Sequence, residues 1–154
     1  MKPEILEINT AIGIARNPTD IYEAITNPDH MSKYFIEKGS GILEEGKQIV
    51  WKFPEFEFEF PVTVGKTKNP EYISWTWQSD GTDLLVEISL SSLTANSTLV
   101  TVTEKSMPNN EAGIKWLMGN SAGWANFLAC LKAYLEYGIN LRKGAFDHLS
   151  DKSI

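Results

Sequence analysis

The stretch 112–138 limits what this chain can become more than any other. It reads AGIKWLMGNSAGWANFLACLKAYLEYG. Leu117, Trp124 and Leu131 repeat with heptad spacing, Ser121, Leu128 and Leu135 follow in step, and Phe127 and Tyr134 widen the stripe. That pattern predicts an amphipathic helix lying on something large. Unbroken, it would be roughly 40 Å long at 1.5 Å per residue. Most of what precedes it alternates with a period of two, as strands with one buried face do. One long terminal helix therefore faces a curved sheet.

The chain has 154 residues, enough for one domain with a substantial core. A single domain over 1–154 is expected, with its core at about 3–138 and a polar tail at 139–154 that either wraps back or frays. Lys+Arg 14 against Asp+Glu 20 give a net charge of -6, with no long basic run to offset it. Phosphate binding needs clustered Lys and Arg, so nucleic acid and anionic membrane surfaces are disfavoured as partners. No segment reaches the roughly 18 consecutive apolar residues of a membrane span. The N-terminus, MKPEILEINT, lacks the apolar core of a secretory signal, and a cytoplasmic location is expected. The single cysteine, Cys130, excludes an intrachain disulfide and reads as a small buried residue of the long helix. His30 and His148 lack ligand-like spacing, His30 reads as a solvated surface residue, and no metal or other cofactor is expected.

Taken in order, Leu6, Ile8, Thr10, Ile12 and Ile14 share one face of a first strand. Asn17-Pro18 and Asn27-Pro28 each combine a capping side chain with a proline suited to a first helical turn. Two short helices back to back are predicted there. A short strand at 41–43, a strand at 48–53 and a strictly alternating run at 55–64 follow. In that run Phe56, Phe58, Phe60, Val62 and Val64 lie on one side, and Glu55, Glu57 and Glu59 form a solvated row on the other. Turn signals then separate strands bearing Ile73, Trp75 and Trp77, then Val86, Ile88 and Leu90, then Val100 and Val102. Connections this short favour antiparallel neighbours. The fold class is α+β: an antiparallel sheet of about seven strands wrapped around the long C-terminal helix.

This order, together with Ile21-Tyr22-Glu23-Ala24-Ile25-Thr26-Asn27-Pro28, the strand at 71–77 and Gly123-Trp124-Ala125-Asn126-Phe127-Leu128 running on to Tyr134-Leu135-Glu136-Tyr137-Gly138, resembles the helix-grip superfamily of START-like (SRPBCC) domains. The branch it looks like is the C-terminal domain of the heat-shock-protein-90 ATPase activator. Tyr34 stands where that branch usually has a tryptophan, and Asn96-Ser97-Thr98-Leu99 replaces its glycine-rich turn. The resemblance implies a cavity between sheet and helix that takes hydrophobic or amphipathic molecules. It also implies that some members are enzymes, such as polyketide cyclases, and that the founding member serves a chaperone.

All five tryptophans fall on or beside the proposed inner faces. Large rings there either pack a core or line a pocket. Pocket lining is favoured for Trp75 and Trp124, because a helix crossing a curved sheet leaves a void near its middle. From the sheet the expected lining is Trp51, Phe53, Phe58, Trp75, Trp77 and Ile88. From the helices it is Tyr34, Trp116, Asn120, Trp124 and Leu128. Gly119 and Gly123 flank Asn120 and cost about 1 kcal/mol each against alanine, which implies close approach of sheet or ligand, or else a kink. Glu104 joins the set if it keeps the inward parity of Val100 and Val102. The plainer reading ends the strand before it and leaves Glu104 solvated beside Lys105. No nucleophile signature, phosphate-cradling loop or metal spacing is present. The expected function is non-catalytic binding of a lipid-like or aromatic small molecule. A cyclase- or hydrolase-like enzyme and a chaperone-associated module are the alternatives, and the sequence is silent on oligomeric state.

Overall fold

Three asparagines start the three α-helices among the described residues, as side-chain acceptors at helix N-termini do. The Oδ1 of Asn17 accepts the N–H of Asp20 at 3.0 Å, that of Asn27 accepts Asp29 at 2.9 Å, and that of Asn110 accepts Gly113 at 2.8 Å. The computed structural model describes residues 2–150; the ends of the expected 1–154 domain and tail, residues 1 and 151–154, lie outside the described residues. The elements are β1 (Ile5–Ile14), α1 (Pro18–Thr26), α2 (Pro28–Met31), β2 (Lys38–Gly39), β3 (Gln48–Lys52), β4 (Glu59–Lys68), β5 (Tyr72–Ser79), β6 (Thr82–Thr94), β7 (Ser97–Pro108) and α3 (Glu111–Tyr137). A 3-10 turn follows at Asp147–Leu149.

The strands form one sheet in the order β1-β7-β6-β5-β4-β3-β2, with every pair antiparallel. Only the β1–β2 connection crosses the sheet, and α1 and α2 make that crossing. Helix α3 packs chiefly on β1 and ends at Gly138, whose φ of 65° suits glycine. The helix runs unbroken through Gly119–Gly123. Close approach belongs to a different glycine: a Cβ on Gly113 would sit 1.9 Å from the Pro108 carbonyl oxygen.

Two strand assignments change. Residues 41–43 are not a strand, because the Leu43 N–H donates to the Thr26 carbonyl of α1 and its side chain is buried. Lys38–Gly39 pairs with β3 instead. The run at 55–64 becomes a strand only from Glu59, because Pro54 and Glu55 form a turn closed by Phe56 N–H to Phe53 C=O. Alternation is lost across the turn. Phe58 is left 54% exposed against Phe56 and Phe60, and Glu55 is buried, not solvated.

The last turns of α3 are tied to the end of β1. The Lys132 ammonium donates to the Gly13 carbonyl at 2.8 Å and pairs with Glu136, whose carboxylate also accepts the Ala15 N–H at 3.0 Å. The Lys132 hydrogen bond, then the Ala15 N–H, hold the Glu136 carboxyl below its ordinary value of 4.5. A lowered folded value means stabilisation that is complete above the ordinary range and lost as pH falls through the folded value. The Tm gap between wild type and Glu136→Gln is therefore expected to be largest at neutral pH and to shrink below pH 4.5. A gap that stays constant down to pH 3 or so would contradict this tie.

Candidate functional site

Strand register builds the centre of the site. One row crosses the concave face from Ile8 through Glu104 and Val86 to Trp75 and Val64, and every member is buried. Four members are apolar and one is a carboxylate. β7 runs on to Pro108, so Glu104 keeps the inward parity of Val100 and Val102 and is 0% exposed. The plainer sequence reading, a solvated Glu104, is overturned. Lys105 takes the opposite face and pairs with Glu87 at 3.2 Å.

Three N–H groups converge on the buried carboxylate. Trp77 Nε1 donates to Oε2 at 2.7 Å, and Asn120 Nδ2 and Trp124 Nε1 donate to Oε1 at 3.0 Å each. Both oxygens act as acceptors, and among the described residues no Lys, Arg or His forms an ion pair with Glu104. The indoles of Trp51, Trp75 and Trp116, by contrast, have no hydrogen-bond partner. Sheet and helix are thus joined through one acidic side chain, with a strand indole below it and a helix indole above.

Beside this cluster lies a cavity of about 540 Å³. Phe35, Phe53, Phe60 and Phe127 supply ring walls, and Trp77, Glu104, Asn120 and Trp124 line its polar end. Gly119 and Gly123 of α3 also face it, and a Cβ on either would meet nothing within 4 Å. Their helix-propensity cost therefore makes room instead of permitting close packing. That space rules out close approach of the sheet, and it is where a ligand would make the other close approach that the sequence allows.

Of the residues expected to line a pocket, Phe53, Trp77, Glu104, Asn120 and Trp124 border the cavity. Trp51, Trp75, Ile88, Leu128 and Trp116 do not border it and are buried. Trp75 sits mid-sheet between Val64 and Val86, whereas Trp77 lies farther along β5, where Gln78, Ser79 and Leu84 also border the space. Trp75 packs instead against Trp51 at 5.2 Å and Trp124 at 6.1 Å between ring centroids. Phe58 points outward, for the reason given above. Tyr34 is buried and donates to the Ala24 carbonyl at 2.8 Å; burial pushes its hydroxyl well above the ordinary value. It borders a smaller pocket of about 250 Å³ near Glu55 and Arg142. Cys130 is buried in α3, and burial pushes its thiol up. His30, expected at the surface, is half-buried and shares a 2.6 Å hydrogen bond with the Tyr134 hydroxyl.

For the segment after α3 the sequence left wrapping back and fraying open; it wraps back, and the residues it brings to the site were not among those expected there. Arg142 donates to both oxygens of Glu55, at 2.7 and 3.3 Å, and its guanidinium lies 5.6 Å from the Phe53 ring centre and 5.0 Å from that of Phe146. Phe146, His148 and Leu149 then border the cavity. The tail wraps back as a strap. Arg142, Phe146 and Leu149, spaced four and three residues apart in the tail, are the sequence trace of it.

A curved antiparallel sheet closed by a C-terminal helix, with short helices after the first strand, defines a helix-grip protein of the START-like class. The chain belongs to the family described as "Activator of Hsp90 ATPase homolog 1-like protein", whose model matches residues 15–136. Among solved structures it is similar to protein SSP2350 from Staphylococcus saprophyticus, with a TM-score of 0.78 and 26% identity over 89% of this chain and 96% of that one. It is also similar to the Aha1 dimer from Colwellia psychrerythraea, with a TM-score of 0.74 and 25% identity over 86% and 98%. CalU16 from Micromonospora echinospora shares the fold, with a TM-score of 0.70 and 17% identity over 94% and 83%. No curated protein sequence gives a significant match. No described helix is long and apolar enough to cross a membrane.

Proposed function

We propose that this protein binds a hydrophobic or amphipathic small molecule in the cavity between α3, the sheet and the strap, without transforming it. The observation that carries this reading is the cavity itself: about 540 Å³, ring-walled, with a few convergent polar groups at one end. Sites of that size and lining suit small organic ligands. The helix glycines support it, since they keep space open where larger side chains would fit.

A second reading, cyclase- or hydrolase-like catalysis, draws on the convergence of Glu104 and Asn120 at the cavity. Three donors already occupy Glu104, which favours holding over proton transfer. Titrating alkanols, alkylamines, fatty acids and plant-type phenols against tryptophan fluorescence tests the first reading. Saturable shifts with part of the panel are expected, with the ligand recovered chemically unchanged by mass spectrometry. No response across the panel would overturn binding, and a recovered product would favour catalysis.

A further inference from the structure

Glu104 is a buried acidic group that, among the described residues, pairs with no cation. Taking a carboxylate out of water without a counter-charge is unfavourable, and neutral N–H donors offset only part of that. The other acidic group near the cavity, Glu55, is already matched by Arg142. The charged and titratable groups bordering the space are Glu104, Arg142 and His148. With Arg142 committed to Glu55, the unmatched charge is negative. A carboxylate has about four acceptor positions, and three N–H donors fill three of those on Glu104. The open position is on Oε2, the oxygen that receives only the Trp77 indole.

The walls point the same way. Cations bind favourably over aromatic faces, most strongly over indoles. Trp77 and Trp124 stand 6.0 Å apart, centroid to centroid, beside the carboxylate. The molecule's own guanidinium already rests over Phe53 and Phe146, two rings of the same wall. A ligand bearing a protonated amine would supply the missing counter-charge and the missing hydrogen-bond donor. Its apolar body would lie along the phenylalanines.

We propose that the cavity selects amphipathic ammonium compounds: a protonated amine directed at Glu104 Oε2, beside Trp77 and Trp124, on an aliphatic or aromatic body. This rests on the small-molecule reading above and names the ligand class for it. The half-buried Asn120 covers the carboxylate from the helix side and controls access to it.

The test compares decylamine, decanol and decanoate by calorimetric titration at neutral pH, in wild type, Glu104→Gln and Asn120→Ala. In wild type, decylamine is expected to bind about tenfold more tightly than decanol, the size of one hydrogen bond to a charged group, with decanoate weakest. Glu104→Gln is expected to bring decylamine and decanol level. Asn120→Ala exposes the carboxylate at a helix position that tolerates alanine, and widens the preference for decylamine. That variant and the wild-type ranking decide the matter even if Glu104→Gln folds poorly. Equal binding of decylamine and decanol in wild type, or tightest binding of decanoate, overturns the ammonium proposal and leaves the cavity reading standing. Binding of none of the three overturns the ammonium proposal, and silence of the phenols as well overturns the cavity reading with it.

Discussion

Glu104→Ala is expected to lower the unfolding free energy by about 2–4 kcal/mol, from loss of a shared acceptor and opening of a core void. Trp124 is 4% exposed, so its indole N–H has no water to turn to once the carboxylate is gone. Trp77 and Asn120 are half-buried beside the cavity and regain part of their bonding from solvent. Removing a buried charge acts in the opposite direction, by relieving its desolvation. The loss prevails because the two indoles that keep sheet and α3 in register share this one acceptor. Glu104→Gln retains shape and one acceptor oxygen, and its loss should be smaller. Urea unfolding checks both, and a midpoint for Glu104→Ala equal to wild type would mean that the cluster does not hold the helix to the sheet.

Gly123→Phe is expected to weaken ligand binding about tenfold to a hundredfold without harming the fold. A Cβ at this position meets nothing within 4 Å, and the residue is exposed on a helix face that borders the cavity. Phenylalanine has a better helix propensity than glycine, so stability should hold or rise slightly. The added ring enters the space that the ligand would occupy. Overfilling a packed site typically costs 1–3 kcal/mol, or about tenfold to a hundredfold in affinity. Gly123→Ala is the control: about 0.5–1 kcal/mol more stable, with binding retained. Undiminished decanol binding to a folded Gly123→Phe would place the ligand elsewhere.

The elements with strong local signals were legible. Asn-Pro pairs started the short helices, period-two alternation marked most strands, and the stretch 112–138 read as one helix from its apolar stripe, against Glu111–Tyr137 observed. Legibility failed where a tertiary contact outweighed the pattern. Alternation through Phe56 and Phe58 looked unbroken, yet the Pro54-Glu55 turn displaced it, and Glu55 was drawn inward by an arginine 87 positions away. No local window contains that pair.

Glu104 illustrates the same limit from the other side. Its parity pointed inward, but a carboxylate in a core is improbable until its donors are known. Those donors come from residues 77, 120 and 124, on a different strand and a helix. The tryptophans were recognisable as inner-face residues, whereas their division between core and cavity was not. Trp75 and Trp77 share a face of β5 and differ only in how far along the strand they lie. The glycines of α3 carried a readable cost with an ambiguous cause, and only the empty space above them resolves it.

A guest molecule is expected to sit at the Trp77–Glu104–Trp124 end of the cavity. The five indole N–H resonances in a nitrogen-15 correlation spectrum, followed while decanol is added, test it most directly. The signals of Trp77 and Trp124 are expected to move saturably, while that of Trp116, buried away from the cavity, stays in place. A titration in which the Trp77 and Trp124 signals stay fixed while decanol binds would contradict the account.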